Sequence, residues 1–197
     1  NLGNIYGTGT DTTETYPMQV EDNLVVDNGK SLGINSSSSV KFRIARNVLK
    51  STTGNAIEVS SSSNNHLFDR NTIITDGRPV YVSGSSSYHP NGMQFTKNTF
   101  TRYSDGNATV ADVLYGNNHV FNQNNFLMSD GLILRNGTAN DVNATGNYWN
   151  TTSTVQIASL IHDYNDDFEK GVVDYTPFLN APNTDAPISP VTWVVKA

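Results

Sequence analysis

The chain has 197 residues, no cysteine, and 12 Lys and Arg against 18 Asp and Glu, for a net charge of −6. This composition excludes disulfides and thiolate metal sites and gives no basic face, so no nucleic-acid partner is expected. No apolar stretch is long enough to cross a membrane, so no membrane span is expected either. The length suits one domain, and a start at Asn1 without Met or a signal peptide is typical of a processed or excised piece.

An asparagine recurs along the chain in one local pattern, with an apolar residue three positions before it and another two positions after it. The members are Asn23, Asn47, Asn71, Asn98, Asn124 and Asn147, and successive spacings are 24, 24, 27, 26 and 23 residues. A period of roughly 20 to 50 residues indicates stacked structural repeats. The sequence therefore predicts a solenoid.

Each period contains three short apolar runs between polar turns, and none of the runs has helical spacing. In one period the runs are Val40 to Ile44, Val48 to Leu49 and Ala56 to Val59. In the next they are His66 to Phe68, Thr72 to Thr75 and Pro79 to Val82. Three strands per period predict an all-β, right-handed parallel β-helix of about six coils over residues 1–150, with Asn4 to Tyr6 as the remains of a further rung.

The recurrent asparagines are predicted to form a ladder. A side-chain amide carries donors and an acceptor, so an inward Asn can pair with the Asn of the coils above and below. An isolated buried amide would instead cost a few kcal/mol. The alternative is that these residues only supply the backbone angles of a turn.

Three columns aligned on the asparagine are mostly large and apolar and are predicted to form a continuous core. Their members are Val20, Ile44, Phe68, Phe95, Phe121 and Ala144; Val25, Leu49, Ile73, Phe100, Phe126 and Trp149; and Met18, Phe42, His66, Met93, His119 and Val142. His66 and His119 are therefore interpreted as packed core residues. They lie two coils apart, about 10 Å by the strand spacing, which is too far to share one metal ion.

Outward positions carry few candidates for chemistry. Glu58, Tyr81, Asp112 and Arg135 are interpreted as scattered over four coils, without a carboxylate pair of the kind that hydrolases use. No catalytic residue is assigned.

Cations precede three of the recurrent asparagines. Arg46, Arg70 and Lys97 are candidate contacts for an acidic polysaccharide, or they are solvated turn residues paired with carboxylates such as Glu21 and Asp69.

Five Asn-X-Ser/Thr sequons are candidate glycosylation sites, and all are expected in turns or at outward positions. They are Asn35, Asn107, Asn136, Asn143 and Asn150.

The region after Trp149 changes character. Thr151 to His162 is predicted to be a helix with Ser153 or Thr152 as N-cap, and residues 151–179 are expected to cap the open end of the solenoid. Asp163, Asn165 and Asp167 have the alternating oxygen ligands of a calcium loop, although Phe168 stands where an EF-hand needs glycine. The alternative is that these side chains cap the helix end and the turn.

Residues 180–197 are predicted to form a Pro-rich linker followed by a terminal strand. Val191, Trp193 and Val195 are predicted to lie in this strand, which would pair with the edge of a neighbouring subunit and assemble a fibre. The alternatives are that the strand folds back on its own coils or leads into another domain.

Several C-terminal segments together carry a resemblance. Gly146 to Trp149, the predicted helix, Asp163 to Phe168, Gly171 and Val173 to Leu179 resemble the end of the NosD-type and pectate-lyase-like right-handed β-helix repeat proteins of bacteria and archaea. The resemblance covers about residues 18–179, although Asn150 stands where many relatives have glycine. It implies a secreted or surface location and carbohydrate association.

The expected function is that of a non-catalytic extracellular β-helix, a structural or adhesive component of a cell-surface layer or filament. The expected partners are further copies of the chain, other surface proteins or a polysaccharide, and no cofactor is required unless the Asp163 loop binds calcium. The alternatives are a polysaccharide lyase, hydrolase or epimerase, and a calcium-dependent carbohydrate-binding module.

Overall fold

A computed structural model describes residues 4–5, 16, 18–35, 40–102, 111–128 and 131–187. Its strands form three parallel sheets that wrap around one core. Sheet 1 contains β2 (Met18–Glu21), β5 (Phe42–Ala45), β8 (Leu67–Asp69), β11 (Gln94–Thr96), β14 (Val120–Asn122), β17 (Val142–Asn143) and β19 (Val173–Asp174). Sheet 2 contains β3 (Leu24–Asp27), β6 (Val48–Ser51), β9 (Thr72–Thr75), β12 (Thr99–Thr101) and β15 (Asn125–Phe126). Sheet 3 contains β1 (Asn4–Ile5), β4 (Leu32–Asn35), β7 (Ile57–Ser60), β10 (Val80–Val82), β13 (Ala111–Val113), β16 (Leu134–Asn136) and β18 (Ile161–His162).

One strand from each sheet makes one coil, and the prediction of a parallel β-solenoid is confirmed. Five coils in the described part of the chain have all three strands, beginning with β2, β5, β8, β11 and β14. A sixth is incomplete, because Tyr148 forms only an isolated bridge with Asn125 where a sheet 2 strand would continue. At the other end β1 pairs with β4, so the predicted further rung is present in sheet 3.

The core follows the predicted columns except at Met18, in the first coil, which is 39% exposed. Side chains alternate along each strand, so residues of one parity point into the solenoid at every coil. Phe68 stacks on Phe95 and Phe95 on Phe121, each at 4.5 Å between ring centroids, and Phe126 stacks on Trp149 at 4.7 Å. In-register pairing thus converts the repeat in sequence into two columns of packed rings.

The helix after Trp149 is shorter than the sequence predicts. α1 spans Thr154–Ser159, and its N-cap is Ser153, as predicted, with the side chain accepting from the Gln156 N–H. The prediction that the helix reaches His162 is wrong, because Ile161–His162 leaves it to form β18 and satisfies the exposed edge of β16. Ile157 is the buried residue of α1, whereas Val155 is 78% exposed.

The region expected to be a separate cap also continues the sheets. β18 extends sheet 3 and β19 extends sheet 1, so residues 151–179 add partial rungs as well as a helix. No helix within the described ranges has the length and apolar character needed to cross a membrane.

Candidate functional site

The outward face of sheet 3 carries a vertical column of polar side chains. Successive partners in the strand register are Gly33, Glu58, Tyr81, Asp112, Arg135 and His162. Parallel pairing places them on adjacent coils, about 4.8 Å apart. The four outward candidates lie one per coil on four coils, as predicted, but in register with one another, and this column is the candidate site.

Asp112 lies at the centre of the column and is enclosed by cations. It is 1% exposed, and it accepts from Arg135 Nε and a terminal guanidinium nitrogen at 2.7 and 2.8 Å. Arg78 Nε lies 3.1 Å from the other side of the same carboxylate, and its guanidinium lies 4.5 Å from the centroid of the Tyr81 ring. Both carboxylate oxygens are therefore committed to guanidinium groups.

Glu58, the other carboxylate of the column, is also paired. Lys30 Nζ lies 2.8 Å from one carboxylate oxygen, and the Asn55 amide donates to the other at 2.8 Å. Glu58 and Asp112 are separated by Tyr81, so their strands are two rungs, about 10 Å, apart. This separation exceeds the roughly 5–5.5 Å between the carboxyl groups of a retaining glycosidase. An inverting pair would need both carboxyl groups free to act as acid and base, whereas both oxygens of Asp112 contact guanidinium groups.

Sequence reasoning missed Lys30, Asn55 and Arg78, which partner the column. Each lies two residues before a strand of sheet 3, at β4, β7 and β10 respectively. An alignment on the third strand of each coil, in addition to the recurrent asparagine, would have placed them in one column.

The six ladder asparagines lie one above another between sheets 1 and 2. Asn23, Asn47, Asn71, Asn98 and Asn124 each donate from the side-chain amide to the Oδ1 of the next member, at 3.0 to 3.1 Å. The backbone N–H of each donates to the same oxygen at 2.8 to 3.0 Å. From Asn47 onward the amide also donates to a sheet 1 carbonyl, such as Ile44 O for Asn71. The ladder thus ties every coil to the next.

The turn angle at this corner is supplied by the residue before each asparagine. Asp22, Arg46, Arg70, Lys97, Gln123 and Gly146 all have positive φ, between 51° and 68°. The left-handed conformation costs a non-glycine residue about 1–2 kcal/mol. The alternative, in which the ladder asparagines only provide turn angles, is therefore wrong, because their neighbours do so.

The three candidate glycan-binding cations of this column each pair with a carboxylate. Arg46 lies 2.7 Å from both Glu21 and Asp22, Arg70 lies 2.8 Å from Asp69, and Lys97 lies 3.0 Å from Asp185. The hydrogen bond from Arg46 lowers the pKa of Asp22. Glycan contact by these residues stays a prediction, and any anionic ligand would have to compete with these pairs.

His66 and His119 are buried core residues. The backbone N–H of Phe42 donates to His66 Nδ1 at 3.2 Å, and that of Met93 donates to His119 Nδ1 at 3.3 Å. Burial lowers the pKa of each to about 4. Both imidazoles are therefore neutral acceptors near pH 7, as a core position requires.

The Asp163 loop directs its carboxylate oxygens at backbone donors. Oδ1 accepts from the Asn165 N–H at 2.9 Å and from its side-chain amide at 3.0 Å, while Oδ2 accepts from the Val173 N–H at 2.8 Å. Asp167 accepts from the Glu169 N–H at 3.1 Å. Where the structure describes the chain, no group of three or more His, Cys, Asp or Glu side chains is placed to hold a metal. This geometry favours the capping interpretation, and calcium binding here stays a prediction.

The sequons differ in accessibility. Asn35, Asn143 and Asn150 are exposed, and Asn107 lies outside the described residues. Asn136 is 0% exposed, and its amide donates to the carbonyls of Asn140 and Gly171 at 2.8 and 2.9 Å. The expectation that all five are outward is therefore wrong for Asn136, which is a structural residue.

The C-terminal segment that the sequence presents as a linker lies against the coils as far as Pro187. Lys97 Nζ contacts Asp185 at 3.0 Å, and Asn183 exchanges hydrogen bonds with Asn125 at 2.7 and 3.1 Å. Val191, Trp193 and Val195, the predicted assembly strand, lie outside the described residues.

Comparison with models of known families, with curated proteins and with solved structures finds no significant match to this chain.

Proposed function

We propose that this chain is a non-catalytic extracellular β-solenoid that serves as a structural or adhesive component of a cell-surface layer or filament. The observation that carries the proposal is that the two carboxylates of the outward column of sheet 3 are both paired with neighbouring cations, an arrangement called here the closed pairing. Asp112 is buried beneath Arg78 and Arg135, and Glu58 is held by Lys30. A carboxyl group that acts as general acid or base must reach the substrate, and these two carboxyl groups contact neighbouring cations instead.

The axial interactions suit a structural role. The ladder amides and the stacked rings run along the solenoid axis, so each coil is held by its neighbours on both sides. Stability in such a repeat is roughly a sum of unit and interface terms, so each added interface between coils adds to the stability of the whole rod. Relationship to the NosD-type and pectate-lyase-like β-helix proteins, and a surface location, are part of the same proposal.

If the chain is adhesive, we expect it to bind carbohydrate. Tyr88 on the loop after β10 is 67% exposed, and exposed aromatic rings present a flat apolar face suited to sugar rings. The Arg46, Arg70 and Lys97 column would supply positive charge for an acidic polysaccharide. Assembly by exchange of the terminal strand between copies stays a prediction and is separated from intramolecular docking by the experiment below.

Incubation of the purified chain with neutral polysaccharides and polyuronates, followed by assays for reducing ends and unsaturated products, tests the absence of catalysis. We expect no release above that of a boiled control. Release that disappears in Glu58→Gln would overturn the proposal in favour of the polysaccharide-active enzyme, since that substitution preserves size while removing the charge.

Immunogold electron microscopy of the producing cells tests the location, and a glycan array read with and without chelator tests adhesion. We expect label on the cell surface. Glycan binding lost on chelation would replace the proposal by the calcium-dependent binding module, and cytoplasmic label would contradict it.

A further inference from the structure

Residues 179–187, after the last strand, run back along the solenoid towards its N-terminal end. The Leu179 N–H donates to the Asn147 carbonyl at 2.8 Å, and the Asn183 N–H donates to Asn125 Oδ1 at 2.7 Å. The Thr99 hydroxyl donates to the Pro187 carbonyl. Asn147, Asn125 and Thr99 belong to the sixth, fifth and fourth coils in turn, so residues 179–187 cross about one coil for every four residues.

A groove adjoins residues 185–187, the last that the structure describes. It has a volume of about 330 Å³ and lies over the second and third coils, with Asp185, Ala186 and Pro187 at one end. Val48 and Thr72 contribute strand residues to it, and Arg46 and Arg70 contribute side chains from the preceding turn. The groove therefore continues the line that residues 179–187 follow.

The outward face of sheet 2 is covered beside this segment and exposed beyond it. Thr99 is 0% exposed and Asn125 is 1% exposed, and both contact the segment. In the first coil Leu24 is 49% exposed and Val26 is 54% exposed, at outward positions of β3. Leu24 is the register partner of Val48, which lines the groove, so the exposed apolar side chains of the first coil adjoin the groove.

The following ten residues have the composition and the length to cover it. Val191, Trp193 and Val195 occupy alternate positions, so an extended segment would place all three on one face. Ten extended residues reach up to about 33 Å, whereas the three rungs from Thr99 to Leu24 span only about 14 Å. Lying so close to the groove, the segment also has a high effective concentration there.

We propose that residues 188–197 dock in this groove on their own solenoid and continue across the outward face of sheet 2 towards β3. The Arg46 and Arg70 guanidinium groups that line the groove would suit an aromatic partner, because cations attract the face of an aromatic ring. The chain thereby seals the exposed apolar face of its own first coils. The proposal rests on the groove and on the path of residues 179–187. If it holds, it replaces exchange of the terminal strand between copies and leaves the non-catalytic role of the proposed function unchanged.

Cysteine pairs test this directly, because the chain contains no cysteine of its own. Val48→Cys is combined in turn with Val191→Cys, Trp193→Cys and Val195→Cys in the full chain, and dilute samples are oxidised and mapped by mass spectrometry. The matched control replaces Val48→Cys by Tyr81→Cys, on the outward face of sheet 3. We expect an intramolecular disulfide from at least one Val48 pair and from none of the control pairs.

A disulfide-linked dimer from the Val48 pairs would overturn intramolecular docking in favour of strand exchange between copies. Equal cross-linking of the Val48 and Tyr81 sets, or none in either, would overturn docking at the groove. Acrylamide quenching of the cysteine-free chain provides a second measurement, with Trp193→Phe subtracted to remove the buried Trp149 signal. We expect Trp193 to be shielded, and quenching as fast as that of free tryptophan would contradict the proposal.

Discussion

Asn71 makes two donations to one atom of Asn98, since its backbone N–H and its side-chain amide both reach Asn98 Oδ1, at 2.9 and 3.0 Å. The same double donation recurs between neighbouring ladder residues on either side. One side-chain oxygen per coil therefore satisfies a backbone donor and a side-chain donor of the coil above. An interior member of this ladder should contribute far more to stability than a terminal one.

Asn71→Ala is expected to lower the free energy of unfolding by about 2–4 kcal/mol, because the Asn47 N–H and amide lose their acceptor in a buried site. Asn23→Ala, at the exposed end of the ladder, is the matched control and should cost less than about 1 kcal/mol. Urea unfolding measures both. Equal losses would mean that the ladder does not stabilise the interior coils.

Two glycines should respond differently to one added methyl group. Gly146 has φ +68° and its added Cβ would lie 3.8 Å from the nearest atom, so Gly146→Ala should cost about 1 kcal/mol from backbone strain alone. At Gly77 the added Cβ would lie 2.0 Å from the Gly54 carbonyl oxygen, which requires the turn to move. Gly77→Ala should therefore cost about 3 kcal/mol or more. Thermal or urea unfolding measures the stability of both variants. A greater loss of stability in Gly146→Ala than in Gly77→Ala would contradict this prediction.

Stability should decrease as the pH is lowered below about 6.5, which is the ordinary pKa of histidine. The folded-state pKa of His66 and of His119 is lowered to about 4, so between these values the unfolded chain binds protons that the folded chain does not. The stabilisation is full above pH 6.5 and is lost as the pH falls towards 4, by up to about 3 kcal/mol per histidine. Urea unfolding at a series of pH values measures this dependence.

His119→Met should flatten that dependence, since it removes one of the two proton-linked groups while keeping an apolar side chain in the column. Met93→Leu, a neutral change in the same column, is the control and should shift stability equally at every pH. A His119→Met profile as steep as the wild-type profile would show that this histidine does not carry the effect.

Asp112→Asn should destabilise the chain by about 2–3 kcal/mol, because it leaves Arg78 and Arg135 facing each other across a buried neutral group. Asp22→Asn also removes an arginine partner, but Asp22 is 64% exposed and water replaces the lost contact. Its effect should be much smaller. Chemical denaturation compares the two, and similar losses would argue against the closed pairing described for sheet 3.

The repeat period predicted much of the fold because each coil uses the same residue types at the same places. Asn47, Asn71 and Asn98 mark one corner, and the strand at Thr72–Thr75 has the predicted bounds. The helix end was not predictable from periodicity, because Ile161 suits a helix and a strand equally. Its pairing with Leu134 decides between them, and that contact joins residues 27 positions apart.

The amino-acid sequence by itself determined that the chain stacks in parallel coils around asparagine and aromatic columns, because those columns require only a period and an inward direction. The tertiary structure decided that Glu58, Tyr81, Asp112 and Arg135 form one outward column, that Arg78 and Lys30 neutralise it, and that Asn136 is buried. The physical reason is that coil lengths vary from turn to turn, so outward neighbours are set by strand register and not by spacing along the chain.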